Sequence, residues 1–112
     1  MNKTFLITGA SDGLGKNFSL KTIDLAKNII IVGRNKNKLK KLKTEINKIN
    51  SKINVLIIST DLSKDYGVNK LIKIFKKQKK IKFVDVLVNS AANFTVKKIV
   101  DTYKGFIVYH LN

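Results

Sequence analysis

Cysteine is absent from the 112 residues, so neither a disulfide framework nor a thiolate metal site can be built, in keeping with a reducing compartment. Histidine occurs once, at His110, which leaves too few parts for a histidine metal site or a serine triad; an exposed position on an amphipathic helix is its expected place. Long apolar runs are missing too. The stretch Phe5–Ile7 behind Lys3 falls well short of a signal-peptide core, and a cytoplasmic, soluble protein with no membrane partner is expected. Acidic residues are scarce, 7 against 23 basic ones, for a net charge of +16.

A surplus of that size is a common footprint of nucleic-acid binding. Its composition argues otherwise, because Arg34 is the sole arginine and lysine, asparagine and isoleucine, all with A/T-rich codons, dominate the chain. Lys36, Lys40, Lys41, Lys43 and Lys48 scatter over a helical pattern, and a denser group holds Lys76, Lys77, Lys79, Lys80 and Lys82. With no aromatic side chains interleaved for base stacking and no arginine forks for base edges, a solvated lysine surface is expected, with no specific nucleic-acid partner. Weak binding to polyanions at low salt fits that surface.

What is present is an alternation of short apolar runs with helical patterns, and a 44% apolar content sufficient for one core. Runs at Thr4–Thr8, Ile29–Val32, Val55–Ile58 and Val84–Val88 predict strands, Ile29–Val32 being buried on both faces. Helices are predicted with Leu14, Phe18 and Leu25 on one side, then with Leu39, Leu42, Ile46 and Ile49, then with Val68, Leu71, Ile72 and Phe75 behind Ser63 or Asp65 as N-cap. A last helix is predicted through Val96, Ile99, Val100, Tyr103, Phe106 and Ile107. The pattern implies an α/β fold, a doubly wound parallel sheet of about four strands with right-handed crossovers and helices on both faces.

In such a sheet, ligands gather at the carboxyl ends of the strands. After the first strand stands Thr8-Gly9-Ala10-Ser11-Asp12-Gly13-Leu14-Gly15, running directly into a helical pattern. Strand, glycine turn and helix N-terminus together form a cradle for a pyrophosphate, where unpaired N–H groups and the helix dipole meet an anion. Glycine permits φ > 0 and close approach of a phosphate to the backbone. An ordinary glycine-rich turn is the alternative.

Gly33 and Arg34 close the second strand about 20 residues later, where a dinucleotide fold places a carboxylate on the adenosine ribose. Arginine there pairs with a 2′-phosphate and favours the phosphorylated cofactor, NADP, over NAD; a surface arginine at a strand end is the alternative. Asp61-Leu62 ends the third strand, where a carboxylate can accept from the adenine amino group. Asn89-Ser90-Ala91-Ala92 ends the fourth with small side chains that let a cofactor approach. Taken singly, an aspartate N-cap and a small polar turn would explain these two segments.

In this order the motifs resemble those of the short-chain dehydrogenase/reductase family, across the whole chain. TGASDGLG is similar to its glycine turn, GRN to its NADP-type second strand end, DL to its adenine contact and NSAA to its N-N-A-G. The resemblance implies that Gly9, Ser11, Asp12, Gly13, Leu14 and Gly15 surround the pyrophosphate. It likewise assigns Arg34 to the 2′-phosphate, Asp61 and Leu62 to adenine, and Asn89 and Ala91 to the ribose region. Ser90 and Ala92 depart from the fourth motif, and Asp12 stands where some NADP-preferring members carry a basic residue.

The resemblance also implies hydride transfer between NADP(H) and a carbonyl or alcohol substrate, through an Asn, Ser, Tyr, Lys relay in which Tyr is the acid/base. Asn112 is the candidate for the relay asparagine, with the end of a frayed helix as the alternative; the other relay residues are expected beyond this chain. Tyr66 and Lys70 share Tyr-x-x-x-Lys spacing but follow the third strand, toward the adenine side, and are read as a coincidence. Residues 1–112 are thus expected to be an incomplete NAD(P)-binding half-domain, inactive alone and prone to self-association through an open edge at Val84–Val88. A stand-alone nucleotide-binding or regulatory module is the alternative, and a basic nucleic-acid binder a weaker one.

Overall fold

The computed structural model describes residues 2–90, Ile99, and the backbone of residues 107–110. Apolar runs rich in β-branched residues become strands, and three- and four-residue apolar spacing becomes helices. In chain order they are β1 (Lys3–Thr8), α1 (Gly13–Lys21), β2 (Ala26–Gly33), α2 (Lys36–Ile49), β3 (Asn54–Ser59), α3 (Asp65–Lys77), β4 (Val86–Asn89) and β5 (Ile107–His110). The strands form one sheet in the order β3-β2-β1-β4-β5, and every pair is parallel.

The order reverses between β1 and β4. Register aligns Thr8 with Val32 and Asn89, and Gly33 with Ser59, so the carboxyl ends of the first four strands form one continuous rim.

Alternation along the strands sends side chains to two separate cores. Phe5, Ile7, Ile29, Ile31, Val55 and Val88 pack on one face with Leu39, Leu42 and Ile46 of α2. Leu6, Ile30, Val32, Ile58 and Leu87 pack on the other with Val68, Leu71 and Phe75 of α3 and with Ile99. Residues Ile29 to Val32 are fully buried, as expected for a central parallel strand covered on both sides. Each such side chain contributes roughly 1.5–3 kcal/mol of transfer free energy.

Several boundaries differ from the sequence-based expectation, each for a local reason. The fourth strand begins at Val86 rather than Val84, because Asp85 takes the place of a ladder residue. Its N–H donates to the Thr4 carbonyl at 2.9 Å, and its carboxylate accepts from the Thr4 N–H at 2.7 Å. Neither Ser63 nor Asp65 caps α3. The N-cap position falls on Lys64, and Asp65 is the first helical residue, where its charge still complements the helix dipole. Leu25 lies beyond α1 in the turn into β2, and Leu14, Leu25 and Ile49 are about half or more exposed rather than part of the core.

The largest correction concerns the far side of β4. Ile107 to His110 form a strand, β5, paired in parallel with β4 from Val86↔Ile107 to Asn89↔His110. Ile107 is therefore not helical, His110 is not on a helix surface, and β4 is not an open edge. The run Ile107-Val108-Tyr109 carries strand propensity as well as helical spacing, and the unpaired ladder of β4 decides between them. Among the described residues the sheet has five strands, with β3 and β5 outermost.

Because α3 returns antiparallel to β3, its lysine-rich end lies at the amino-terminal edge of the sheet, opposite the rim. Lys76, Lys77, Lys79, Lys80 and Lys82 are exposed there. A groove of about 460 Å³ is lined by Phe75, Lys76, Gln78, Lys79, Ile81 and Lys82 at the same edge.

Candidate functional site

The rim begins with the turn from β1 into α1, whose three glycines serve two physical needs. Gly9 (φ 64°) and Gly13 (φ 56°) adopt the left-handed conformation that carries the chain from β1 into α1. A Cβ added to Gly13 would meet no atom within 4 Å, so the turn faces open space at that point. Gly15 is required by contact: a Cβ there would run into the Gly9 carbonyl, so only glycine lets α1 sit this close to the end of β1. Ala10 N–H closes the turn onto β2 by donating to the Val32 carbonyl at 3.0 Å.

Asp12 occupies the N-cap position of α1, but its side chain makes no capping hydrogen bond. The first N–H groups of a helix have no intrahelical acceptor, and here the natural capping residue does not supply one. The Asp12 carboxylate instead reaches the Lys38 ammonium in the first turn of α2, at 2.8 Å.

Ser11 carries a second indication of the same kind. Among the described residues its Oγ is the buried side-chain polar atom that has no hydrogen-bond partner. It lies directly over Gly33, where a Cβ would collide with it. A buried hydroxyl without a partner costs roughly 1–3 kcal/mol, and a phosphate oxygen at the helix N-terminus is an acceptor of the right chemistry for it. The turn therefore fits a pyrophosphate by shape, by donors and by an orphaned hydroxyl.

The ends of β2 and β3 are tied together beside this turn. Thr60 N–H donates to the Gly33 carbonyl at 2.9 Å, and Ser59 Oγ to the Arg34 carbonyl at 3.3 Å. Arg34 is exposed just past β2. The Asp61 carboxyl is held below its ordinary value, first by the hydroxyl of Ser63 and then by the Ser63 N–H, with smaller help from the positive charges of Arg34 and Lys64 against a small desolvation effect. The two Ser63 bonds measure 2.7 and 3.0 Å, forming a local Asx turn that leaves Asp61 ionised at the rim. Leu62 is buried in the α3-side core, so only its backbone is placed to meet a ligand.

Sequence reasoning passed over Gly67 and Thr60, which fix this corner. A Cβ at Gly67 would strike the Asp61 carbonyl, and Thr60 Oγ1 donates to the Gly67 carbonyl at 2.9 Å. A single glycine inside a helical pattern reads as a tolerated blemish until the chain packed against it is seen. Lys38 was passed over as well, one lysine among many in the sequence.

At the switch point, Asn89 ends β4 in a buried position. Thr8 Oγ1 donates to Asn89 Oδ1 at 2.9 Å and accepts from Ser90 N–H at 3.2 Å, so the threonine at the end of β1 positions the asparagine across the sheet. Ala91 and Asn112 lie outside the described residues. Of the Tyr66–Lys70 pair, Lys70 Nζ donates to the Ser59 carbonyl at 2.9 Å and Tyr66 is exposed, which places both on the β3 side of the rim.

The arrangement thus brings Gly9, Ser11, Asp12, Gly13, Leu14, Gly15, Arg34, Asp61 and Asn89 to one edge of the sheet. Among the described residues no helix is long and apolar enough to cross a membrane, and no group of three or more His, Cys, Asp or Glu is placed to hold a metal.

Comparison with known proteins gives the same direction. Residues 3–104 match the family described as short chain dehydrogenase. A 3-ketodihydrosphingosine reductase from Bos taurus is 43% identical over 89 residues, covering 77% of this chain and 26% of the relative. The chain therefore spans about a quarter of the length of that relative. An L-sorbose reductase from Gluconobacter frateurii, solved with NADPH and L-sorbose, superposes with a TM-score of 0.73 at 24% identity, over 81% of this chain and 34% of that one. A short-chain dehydrogenase from Sphingobium yanoikuyae in complex with NADPH gives 0.65 at 21% identity, over 78% and 33%.

Proposed function

The chain belongs to the short chain dehydrogenase family, and from that premise we propose that it is the NADP(H)-binding portion of a carbonyl/alcohol oxidoreductase. The observation that carries the proposal is the glycine turn with its uncapped helix N-terminus and the buried, unpartnered Ser11 hydroxyl. Such a turn accepts a pyrophosphate, with Gly9, Ser11, Asp12, Gly13, Leu14 and Gly15 around it. Arg34 faces the 2′-phosphate, Asp61 and the Leu62 backbone the adenine, and Asn89 and Ala91 the ribose region. When bound, the cofactor supplies the hydride; the chain's own residues grip and orient it. NADP is favoured over NAD because the end of β2 presents an arginine and no carboxylate. Structural relatives solved with NADPH support the same choice.

A carbonyl or alcohol is the proposed substrate class, supported by the bovine relative's name as a reductase of a 3-keto compound. Residues 1–112 act in this reading as one NAD(P)-binding half-domain, and Asn112 as the relay asparagine. Of all Tyr-x-x-x-Lys spacings, the sequence holds only Tyr66–Lys70, on the β3 side, so the 112 residues alone are proposed to turn over no substrate. A cytoplasmic location and self-association complete the reading, with β5 in place of β4 as an outer strand.

The test is binding of NADPH by the chain, with Gly13→Val as the control. Valine at φ 56° is strained, and it projects into the open space in front of the turn, so dinucleotide binding should be lost. Retention on DNA at low salt, spread over lysines, should be unaffected and should fade at physiological salt. DNA binding that persists at physiological salt with no NADPH binding would replace this reading with a nucleic-acid one. Dinucleotide binding that remains without turnover after a family-like carboxyl-terminal half is supplied would favour a regulatory module.

A further inference from the structure

Three cations crowd the end of β2 and the start of α2: Arg34, Lys36 and Lys38. No acidic residue lies in the first turn of α2, although a helix N-terminus favours negative charge and disfavours lysine. The Lys38 backbone N–H is used locally, donating to the N-cap Asn35 Oδ1 at 3.1 Å. Its ammonium turns to Asp12, 26 positions earlier in the chain, at 2.8 Å. Asp12 adjoins Ser11, which lies over Gly33, the residue before Arg34, so this contact ties the glycine turn to the first turn of α2 beside the end of β2. Both side chains are open to solvent, 49% for Lys38 and 70% for Asp12.

We propose that the Asp12 carboxylate is a built-in competitor for the 2′-phosphate: it holds Lys38, and a 2′-phosphorylated dinucleotide binds by displacing it. The inference rests on the dinucleotide reading of the site. Two exposed single charges attract weakly, and the coupling of such a pair corresponds to at most about fivefold in an equilibrium constant. A phosphate carrying nearly two charges, presented to Arg34 and Lys38 together beside a helix N-terminus, is the stronger partner for the ammonium. Asp12 therefore lowers affinity for the phosphorylated cofactor twice, by occupying Lys38 and by placing a like charge beside the phosphate. The unphosphorylated cofactor has nothing to gain from Lys38. The pair is thus a specificity-setting latch that narrows the preference Arg34 creates.

The experiment is calorimetric titration of the 112-residue chain with NADPH and with NADH, for the unmutated protein, Asp12→Asn, Lys38→Met and the double variant. Asparagine keeps N-cap preference without charge, and both positions are on the surface, so folding should be retained; a thermal melt checks this. Asp12→Asn is expected to tighten NADPH by roughly three- to tenfold and NADH by a smaller factor, because the pyrophosphate common to both loses a like-charged neighbour while only NADPH also gains Lys38. Lys38→Met should weaken NADPH and leave NADH unchanged. In the Lys38→Met background, Asp12→Asn should keep only the like-charge part of its effect on NADPH, so its gain should be smaller there, and in both backgrounds it should shrink as salt is raised. Equal tightening of both cofactors, an undiminished effect without Lys38, or weaker NADPH binding by Asp12→Asn would overturn the inference while leaving the dinucleotide site intact. Failure of every variant to bind either cofactor would overturn the site itself, and the latch with it.

Discussion

The contact between Ser11 and Gly33 makes a prediction with a sign that ordinary side-chain deletion would not have. A Cβ at Gly33 meets the Ser11 Oγ well inside contact distance, while Ser11 Cβ and N stand at 3.3 and 3.4 Å. Gly33→Ala is therefore overpacked, at about 1–3 kcal/mol, offset by roughly 0.5 kcal/mol from the smaller entropy of the unfolded chain. Ser11→Ala removes a buried hydroxyl with no partner and should stabilise the free protein, by about 1 kcal/mol. In the double variant the clashing atom is gone. Its stability should exceed the sum of the single effects by about 1–2 kcal/mol, which at a urea slope near 1.5 kcal/mol/M is a midpoint shift of roughly 1 M. Ser11→Ala should at the same time weaken dinucleotide binding, so stability and affinity move in opposite directions. Additive midpoints, or a Ser11→Ala protein that is clearly less stable, would refute the packing of this turn and the idea that the hydroxyl awaits a ligand.

Two further outcomes follow from the rim and the sheet. Asp61 is held below its ordinary value chiefly by the Ser63 hydroxyl, so its ionised form stabilises the folded rim above the unfolded carboxylate range, and this is lost as pH falls through the lowered folded value. Ser63→Ala should raise the Asp61 titration point toward normal in an NMR pH series without reaching it, because the Ser63 N–H, Arg34 and Lys64 remain; an unchanged titration point contradicts the assignment. With β3 and β5 as outer strands, sedimentation velocity should show concentration-dependent association above the 12.6 kDa monomer, whereas one species at every concentration would contradict edge pairing.

Much of this architecture was legible because local and global signals agree in it. The continuous run Ile29–Val32 reads as a strand covered on both sides, and the glycine turn between Ile7 and Phe18 reads as a reversal from strand into helix; both are what the structure shows. Where one signal served two structures, the sequence failed. Ile107-Val108-Tyr109 satisfies helical spacing with Tyr103 and strand propensity equally, and its partner β4 lies far away in the chain. The use of Asp12 was hidden for a similar reason. An aspartate before a helix reads as its cap, and only the approach of α2 shows the carboxylate turned to Lys38. Gly67 needed the Asp61 carbonyl beside it before its lack of a side chain acquired meaning.

The measurement closest to the central claim compares NADPH and NADH binding by the unmutated chain and by Arg34→Ala. If the rim is an NADP site, NADPH binds more tightly, and Arg34→Ala removes most of that difference. The loss is about 1.5–3 kcal/mol for a charged hydrogen bond, or roughly 10- to 150-fold in affinity, with NADH scarcely altered. Equal affinities for the two cofactors in the unmutated chain, or a preference that survives Arg34→Ala, would contradict the account.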